Sequence, residues 1–214
     1  MNVPLLIFTV VEMIGTVAFA MSGAMTGLKY RLDIFGILLL SVTAALGGGV
    51  IRDLIIGRIP PMMFQDYKYL VAAAATALLL FLIARLANRF YHANEQRIEV
   101  WTNVFDALGL GAFTVTGVQA GINAGFADNG FLLVFLALLT GIGGGVLRDL
   151  FVQRMPLIFQ KRIYALADIL GACLYLALYR HGVGQILTSA LTIAAVFTIR
   201  MLATKYHWNL PRAE

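Results

Sequence analysis

Seven charged side chains fall inside or at the ends of long apolar runs: Glu12, Arg52, Asp53, Asp106, Arg148, Asp149 and Asp168. A charge at the centre of a lipid-embedded helix costs about 2.5–3.5 kcal/mol on insertion scales, so such residues face protein or water and mark charge pairs or ion paths. The chemistry they suit is the stabilisation and gating of mobile charge. Bond-making chemistry has no visible apparatus. No nucleophile stands beside a base, and the 3 histidines and 1 cysteine do not cluster as a metal site. There is no Gly-x-x-x-x-Gly-Lys-Ser/Thr loop for ATP and no Thr-Val-Gly-Tyr-Gly filter. We expect no enzyme activity, no catalytic residue, no metal and no cofactor.

Four of these charges belong to a motif that occurs twice. Gly47-Gly48-Gly49-Val50-Ile51-Arg52-Asp53-Leu54 returns as Gly143-Gly144-Gly145-Val146-Leu147-Arg148-Asp149-Leu150, 96 residues later. A basic residue and a proline follow each copy, Arg58 and Pro60 in one and Arg154 and Pro156 in the other. The duplication reaches further. Glu12 matches Asp106, Ala18-Phe19 matches Ala112-Phe113, Ser22-Gly23 matches Thr116-Gly117, and Tyr69 matches Tyr164. Each glycine costs about 1 kcal/mol relative to alanine in a helix. Two uses compete for that cost. Small residues spaced by four let helices pack closely, whereas an unwound turn frees carbonyls toward a water-filled path. Three glycines in a row cover most of a turn, which favours a break or kink at Gly47, Gly48, Gly49 and at Gly143, Gly144, Gly145.

The elements that carry these residues are membrane spans. Of the 214 residues, 60% are hydrophobic and 13% charged, with mean hydropathy +0.85, against about 25% charged in soluble domains. Apolar segments lie near residues 5–28, 35–57, 67–87, 100–122, 130–153, 162–180 and 184–203, each near the roughly 20 residues that cross a bilayer. The fold class is therefore all-α integral membrane, with seven transmembrane helices: two inverted three-helix repeats plus a seventh helix. We divide it as 1–90, 91–181 and 182–214. An odd number of spans per repeat makes the second copy enter from the opposite face. That is the plan of many transport proteins, whose sites lie near the midplane. The net charge of +5 is a topology signal here, with no nucleic acid implied. Lys29, Arg31, Arg85, Arg89, Arg97, Arg154, Lys161, Arg162, Arg200, Lys205 and Arg212 fall on one side, and mainly Arg58, Lys68 and Arg180 on the other. By the positive-inside rule the amino terminus lies outside and the carboxyl terminus in the cytoplasm, with the chain in the cell (inner) membrane.

Orientation pairs the charges. Neighbours in sequence do not face each other on a helix, so Arg52 and Arg148 are expected to find partners beyond Asp53 and Asp149. Glu12 and Arg52 both lie toward the outer face, and Asp106 and Arg148 toward the inner one. Two related pairs then bracket a glycine-lined midsection. The alternative is that both arginines snorkel to lipid headgroups, as is expected of Arg200. Asp168 has Ala73 as its counterpart, breaks the symmetry, and is expected to bond an arginine near the cytoplasmic side.

Two three-span repeats, each with Gly-Gly-Gly-x-x-Arg-Asp and a following proline, plus a seventh span, resemble the prokaryotic trimeric intracellular cation (TRIC) channel family. The same repeat is known as the bacterial glycine-transporter domain. The resemblance covers nearly the whole chain. It implies a homotrimer with one permeation path per protomer, potassium or sodium ions as permeants, contact with membrane lipid including bound lipid, and second and fifth spans kinked at the triglycines. A secondary transporter of a small amino acid such as glycine is the alternative function, and a structural or lipid-interacting membrane protein a third.

Overall fold

The computed structural model describes residues 3–86, 95–160 and 163–208. Within them the chain is helical throughout: α1 (Val3–Lys29), α2 (Ile34–Ile55), α3 (Met62–Gln65), α4 (Lys68–Leu86), α5 (Glu95–Asn123), α6 (Gly130–Phe151), α7 (Leu157–Gln160), α8 (Ile163–Arg180) and α9 (Gln185–Lys205). Long helices form where the apolar runs stand, because lipid leaves backbone N–H and C=O groups no partner outside the helix. The boundary between the two repeats at residues 90 and 91 lies outside the described residues, as do Arg89, Lys161, Arg162 and Arg212.

All the long helices except α5 are both long and apolar enough to cross a membrane. α5 has 29 residues and is the exception because of its content: Asn103, Asp106, three threonines and Gln119 among them. Its neighbours resolve the apparent conflict. Every residue from Gly109 to Gly121 is buried, packed by α1, α6, α8 and α9. Protein, not lipid, surrounds the most polar span.

The repeat is visible in local chemistry. Asp33 caps α2 by accepting from Gly36 N–H at 2.7 Å, and Asn129 caps α6 by accepting from Leu132 N–H at 3.0 Å. Such caps satisfy N–H groups that a first helical turn leaves free. Each helix also ends alike. Gly57 (φ 76°) and Gln153 (φ 54°) take the same left-handed position, and the next residues, Arg58 and Arg154, donate N–H to Asp53 O and Asp149 O at 2.8 and 2.9 Å. Glycine suits that position and glutamine is strained there.

α1 packs on α5, and α2 on α6, so the two halves meet through equivalent helices. At the centre Phe19 and Phe113 stack with ring centroids 5.2 Å apart. Each ring rests on a glycine of the other repeat: Phe19 on Gly109, Phe113 on Gly15. α9 packs chiefly on α5 and α8 and has no counterpart.

Of the break or kink expected at the triglycines, the break is absent. Helix α2 runs through Gly47, Gly48 and Gly49, and α6 through Gly143, Gly144 and Gly145, without an unwound turn. They serve close approach instead. A Cβ on Gly48 would collide with the Thr140 carbonyl oxygen, and a Cβ on Gly144 with the Ala44 carbonyl oxygen. Thr140 and Ala44 are themselves repeat mates, so the contact is the same from either side. The relevant spacing is the four-residue one, Ala44 to Gly48 and Thr140 to Gly144. The third glycine of each run has another use: Gly49 lies 3.7 Å from an Arg52 guanidinium nitrogen, and Gly145 3.8 Å from that of Arg148, measured from an added Cβ.

Because the obstacle is backbone, Gly48→Val and Gly144→Val will each lower the melting temperature of the purified protein in detergent. The expected cost is that of overpacking, about 1–3 kcal/mol. Gly184→Ala, where an added Cβ meets nothing within 4 Å, will leave it unchanged.

Candidate functional site: two buried charge clusters

Each half-molecule buries one arginine. Arg52, 1% exposed, and Arg148, 2% exposed, stand near the ends of α2 and α6 but do not reach the surface. An unpaired buried charge is destabilising, so each guanidinium must find carboxylates. Arg52 Nη1 donates to Glu12 Oε1 of α1 at 3.0 Å. Arg148 Nη1 donates to Asp106 Oδ1 of α5 at 2.7 Å. The structure thus joins the acids and bases that orientation set side by side, and neither arginine snorkels.

The neighbouring aspartates join as well, against the helix-face rule. Arg52 Nε donates to Asp53 Oδ1 at 2.9 Å, and Arg148 Nε to Asp149 Oδ1 at 3.0 Å. The rule concerns where Cβ atoms point. An arginine carries its fork on a long flexible stem, and here the stem folds so that Nη1 meets one acid and Nε the other. The second aspartate oxygen is also used. Asp53 Oδ2 accepts from Met62 N–H at 2.8 Å and Asp149 Oδ2 from Leu157 N–H at 3.0 Å. Met62 and Leu157 open the short helices α3 and α7. Each Arg-Asp pair therefore ties a first-span acid, its own helix and the return loop into one unit. Sequence reasoning did not anticipate α3 and α7. The prolines at 60, 61 and 156 were the available signal, since proline favours a helix start.

Both clusters balance their charge, by different means. In the first, Glu12 and Asp53 face Arg52 and Arg58, whose Nη1 is 3.8 Å from Asp53 Oδ1 and whose side chain is 32% exposed. In the second, the fourth charge comes from α9. Arg200, 1% exposed, places Nη2 3.9 Å from Asp106 Oδ2 and donates to Asn103 Oδ1 at 3.1 Å. Its guanidinium carbon lies 4.3 Å from the Tyr164 ring centroid, a cation–π contact. Arg200 is thus a buried member of the second cluster, and the expectation that it snorkels is corrected. Ser22 Oγ also accepts from Arg148 Nη1, linking the second cluster to α1.

Each cluster keeps unsatisfied oxygens. Glu12 Oε2 and Tyr69 Oη in one, and Asp106 Oδ2 and Tyr164 Oη in the other, are buried without a hydrogen-bond partner. Beside Glu12 and Tyr69 is a cavity of about 20 Å³, bordered also by Thr16, Gly49, Arg52 and Phe113. That is room for one water molecule.

Asp168 stands apart from both clusters. It is fully buried, and its Oδ1 is hydrogen-bonded to Thr114 Oγ1 of α5. No arginine bonds it among the described residues, which corrects that expectation. Arg200, the buried arginine of α9, is engaged with Asp106 instead.

This fold and these paired buried charges define an inverted-repeat integral membrane protein. A family model described as "Glycine transporter" matches the chain twice, over residues 9–85 and 103–180, once per repeat. The chain belongs to this family, whose members include the UPF0126 membrane proteins and the TRIC channels. The inner membrane protein YadS of Escherichia coli is 33% identical over 202 residues, 94% of this chain and 93% of that protein. The membrane protein YvgT of Bacillus subtilis is 32% identical over 203 residues, 94% and 93% of the two chains. Among solved structures, the TRIC trimeric intracellular cation channel orthologue from Rhodobacter sphaeroides superposes with TM-score 0.83 at 28% identity, covering 94% of this chain and 98% of that one. A prokaryotic TRIC channel in 0.5 M KCl gives TM-score 0.85 at 28% identity, covering 96% and 99%. Another structure, reported for conductance through TRIC cation channels, gives 0.80 at 30% identity over 97% of both chains.

Removing one partner of a buried pair leaves the other charge stranded, at about 3–5 kcal/mol. Arg148→Gln and Asp106→Asn will each destabilise the protein by that order. The double variant will cost less than the two added together, as a double-mutant cycle of melting in detergent will read.

Proposed function

We propose that this protein is a passive channel for monovalent cations, permeable to potassium, with a path inside each protomer. The observation that carries the reading is the pair of charge-balanced, buried clusters placed by the inverted repeat toward opposite ends of one protomer. Free arginines beside a path repel cations. Here each is matched by two carboxylates, so the clusters suit closure of a path better than selection among ions. We read the structure as closed: the first cluster seals the outer end and the second the inner end. Moving any member charge out of its cluster breaks a seal. The triglycines then act as the crossing point of α2 and α6, the place where one repeat pivots on the other, rather than as unwound pore lining.

The supporting context is consistent. Solved relatives that cover nearly the whole chain are cation channels by description, and one of them is called trimeric. Carried here, this suggests a homotrimer of protomers in the cell membrane; contact with lipid and an amino terminus outside with the carboxyl terminus cytoplasmic follow from the apolar spans and the charge bias of the sequence. Permeant potassium or sodium is the expected ligand, with no cofactor and no enzymatic step.

Purified protein in a planar bilayer between potassium chloride solutions will show discrete ohmic openings that reverse near the potassium equilibrium potential under a gradient. Saturable flux coupled to glycine or another small amino acid, without such openings, would assign the inverted repeat to a secondary transporter and overturn the channel reading.

A further inference from the structure

The second half of the molecule contains a polar seam that the first half lacks. It runs between α5, α8 and α9. Thr188, Ser189, Thr192, Arg200 and Thr204 come from α9, Gln119 and Thr114 from α5, and Tyr175 and Asp168 from α8. Gln119 Nε2 donates to Tyr175 Oη at 3.0 Å and to Ser189 Oγ at 3.2 Å, while its Oε1 is buried without a partner. The seam starts at a cavity of about 320 Å³ bordered by Gln119, Tyr175, Tyr179, Gln185 and Thr188. Asp168 is seven residues along α8 from Tyr175, about 10 Å deeper at 1.5 Å per residue. The methyl groups of Thr114 and Thr192 face Gly171, the next turn of α8.

Asp168 poses a proton-counting problem. Thr114 Oγ1 lies 2.8 Å from its own-helix acceptor, Leu110 O, and is also hydrogen-bonded to Asp168 Oδ1. A hydroxyl has one proton to donate. If Asp168 were ionised, both neighbours of that hydroxyl would be acceptors, and its one hydrogen would have to be split between them or leave one contact without a hydrogen. A proton on Asp168 Oδ1 completes the chain: the carboxyl donates to Thr114 Oγ1, and Thr114 donates to Leu110 O. Asp168 Oδ2 points at Gly141 of α6, 2.6 Å from where a Cβ there would be, and has no hydrogen-bond partner. Among the described residues, no cation is paired with the carboxyl. The buried charged groups on the helices packed around it are Asp106 on α5, Arg148 and Asp149 on α6, and Arg200 on α9. All of these are engaged with one another in the second cluster. Of the other titratable groups of α8, Tyr164, Cys173 and Tyr175 lie one to two turns away, and Tyr179 and Arg180 about three.

We propose that Asp168 is a proton-binding site that exchanges its proton for a monovalent cation when the seam admits water from the cavity. The exchange balances as a protonated carboxyl plus a hydrated cation giving a carboxylate–cation pair plus a released proton. The ligands left for the cation are hard oxygens: both Asp168 oxygens, the Thr114 hydroxyl, and water entering from the cavity. Oxygen-only donor sets suit alkali and other hard cations. The proton count stands without the channel reading; only the meaning of the exchange for conduction rests on it.

Infrared spectroscopy of the purified full chain tests this. At neutral pH the wild type will show a protonated-carboxyl C=O band that shifts when aspartate carboxyls are labelled with carbon-13, a readout that needs no variant. Asp168→Asn will lose the band, and Asp66→Asn, a loop control, will keep it. Raising potassium at fixed pH will diminish the band and release a proton to a pH-indicating dye in wild type but not in Asp168→Asn. Absence of any aspartate-derived band at neutral pH would overturn the protonated state. A band indifferent to saturating potassium, with no proton released, would overturn the exchange. Neither readout uses ionic current, so a protein that exchanges but shows no openings refutes the channel and not this site.

Discussion

A guanidinium placed below the membrane surface cannot be left to itself, and that requirement organises the protein. Arg52 and Arg148 are nearly inaccessible, so every donor they carry must be met from within the chain. Meeting it calls for an acid on the preceding first span of each repeat, a second acid next in sequence, and glycine beside the fork to make room. The second acid then has an oxygen left over, and that oxygen starts the short helix of the return loop. One buried cation per repeat thus connects two long helices, a loop and the approach to the third span.

The duplication makes this arrangement occur twice in opposite senses, and the shared centre is where the copies agree. Phe19 and Phe113, and the Gly48 and Gly144 crossings, are contacts in which each repeat does to the other what is done to it. The symmetry fails where α9 arrives. Arg200 supplies from a helix the charge that Arg58 supplies from a loop, and closes the second cluster more completely than the first. Asp168 stands on that same side, where its counterpart is Ala73. A protein built from two equal halves has become unequal in the half that faces the extra helix.

Much of this was legible in the residues. Repeat spacing, span number and the sidedness of charge were enough to place Glu12 with Arg52 and Asp106 with Arg148, because topology alone decides which charges share a face. What was not legible depended on packing between elements far apart in sequence. The glycine runs read as a break because three in a row were weighed together. The informative pair was Ala44 with Gly48 facing Thr140 with Gly144, and only the crossing of α2 and α6 shows which glycine faces the partner. Arg200 read as a snorkelling residue because its partners, Asn103, Asp106 and Tyr164, lie on two other helices. The pairing of Arg52 with Asp53 was hidden by a rule about Cβ direction that a long side chain escapes.

The central claim is that the two charge clusters are seals in series on one path, and single-channel recording of arginine-to-lysine variants tests it most directly. Arg52→Lys and Arg148→Lys keep each cluster's charge and remove the planar fork that lets one side chain hold two carboxylates. Open probability should rise in each variant, and rise further in the double variant, with potassium conductance per opening little changed. Folded, conducting variants whose open probability matches the wild type would contradict the account.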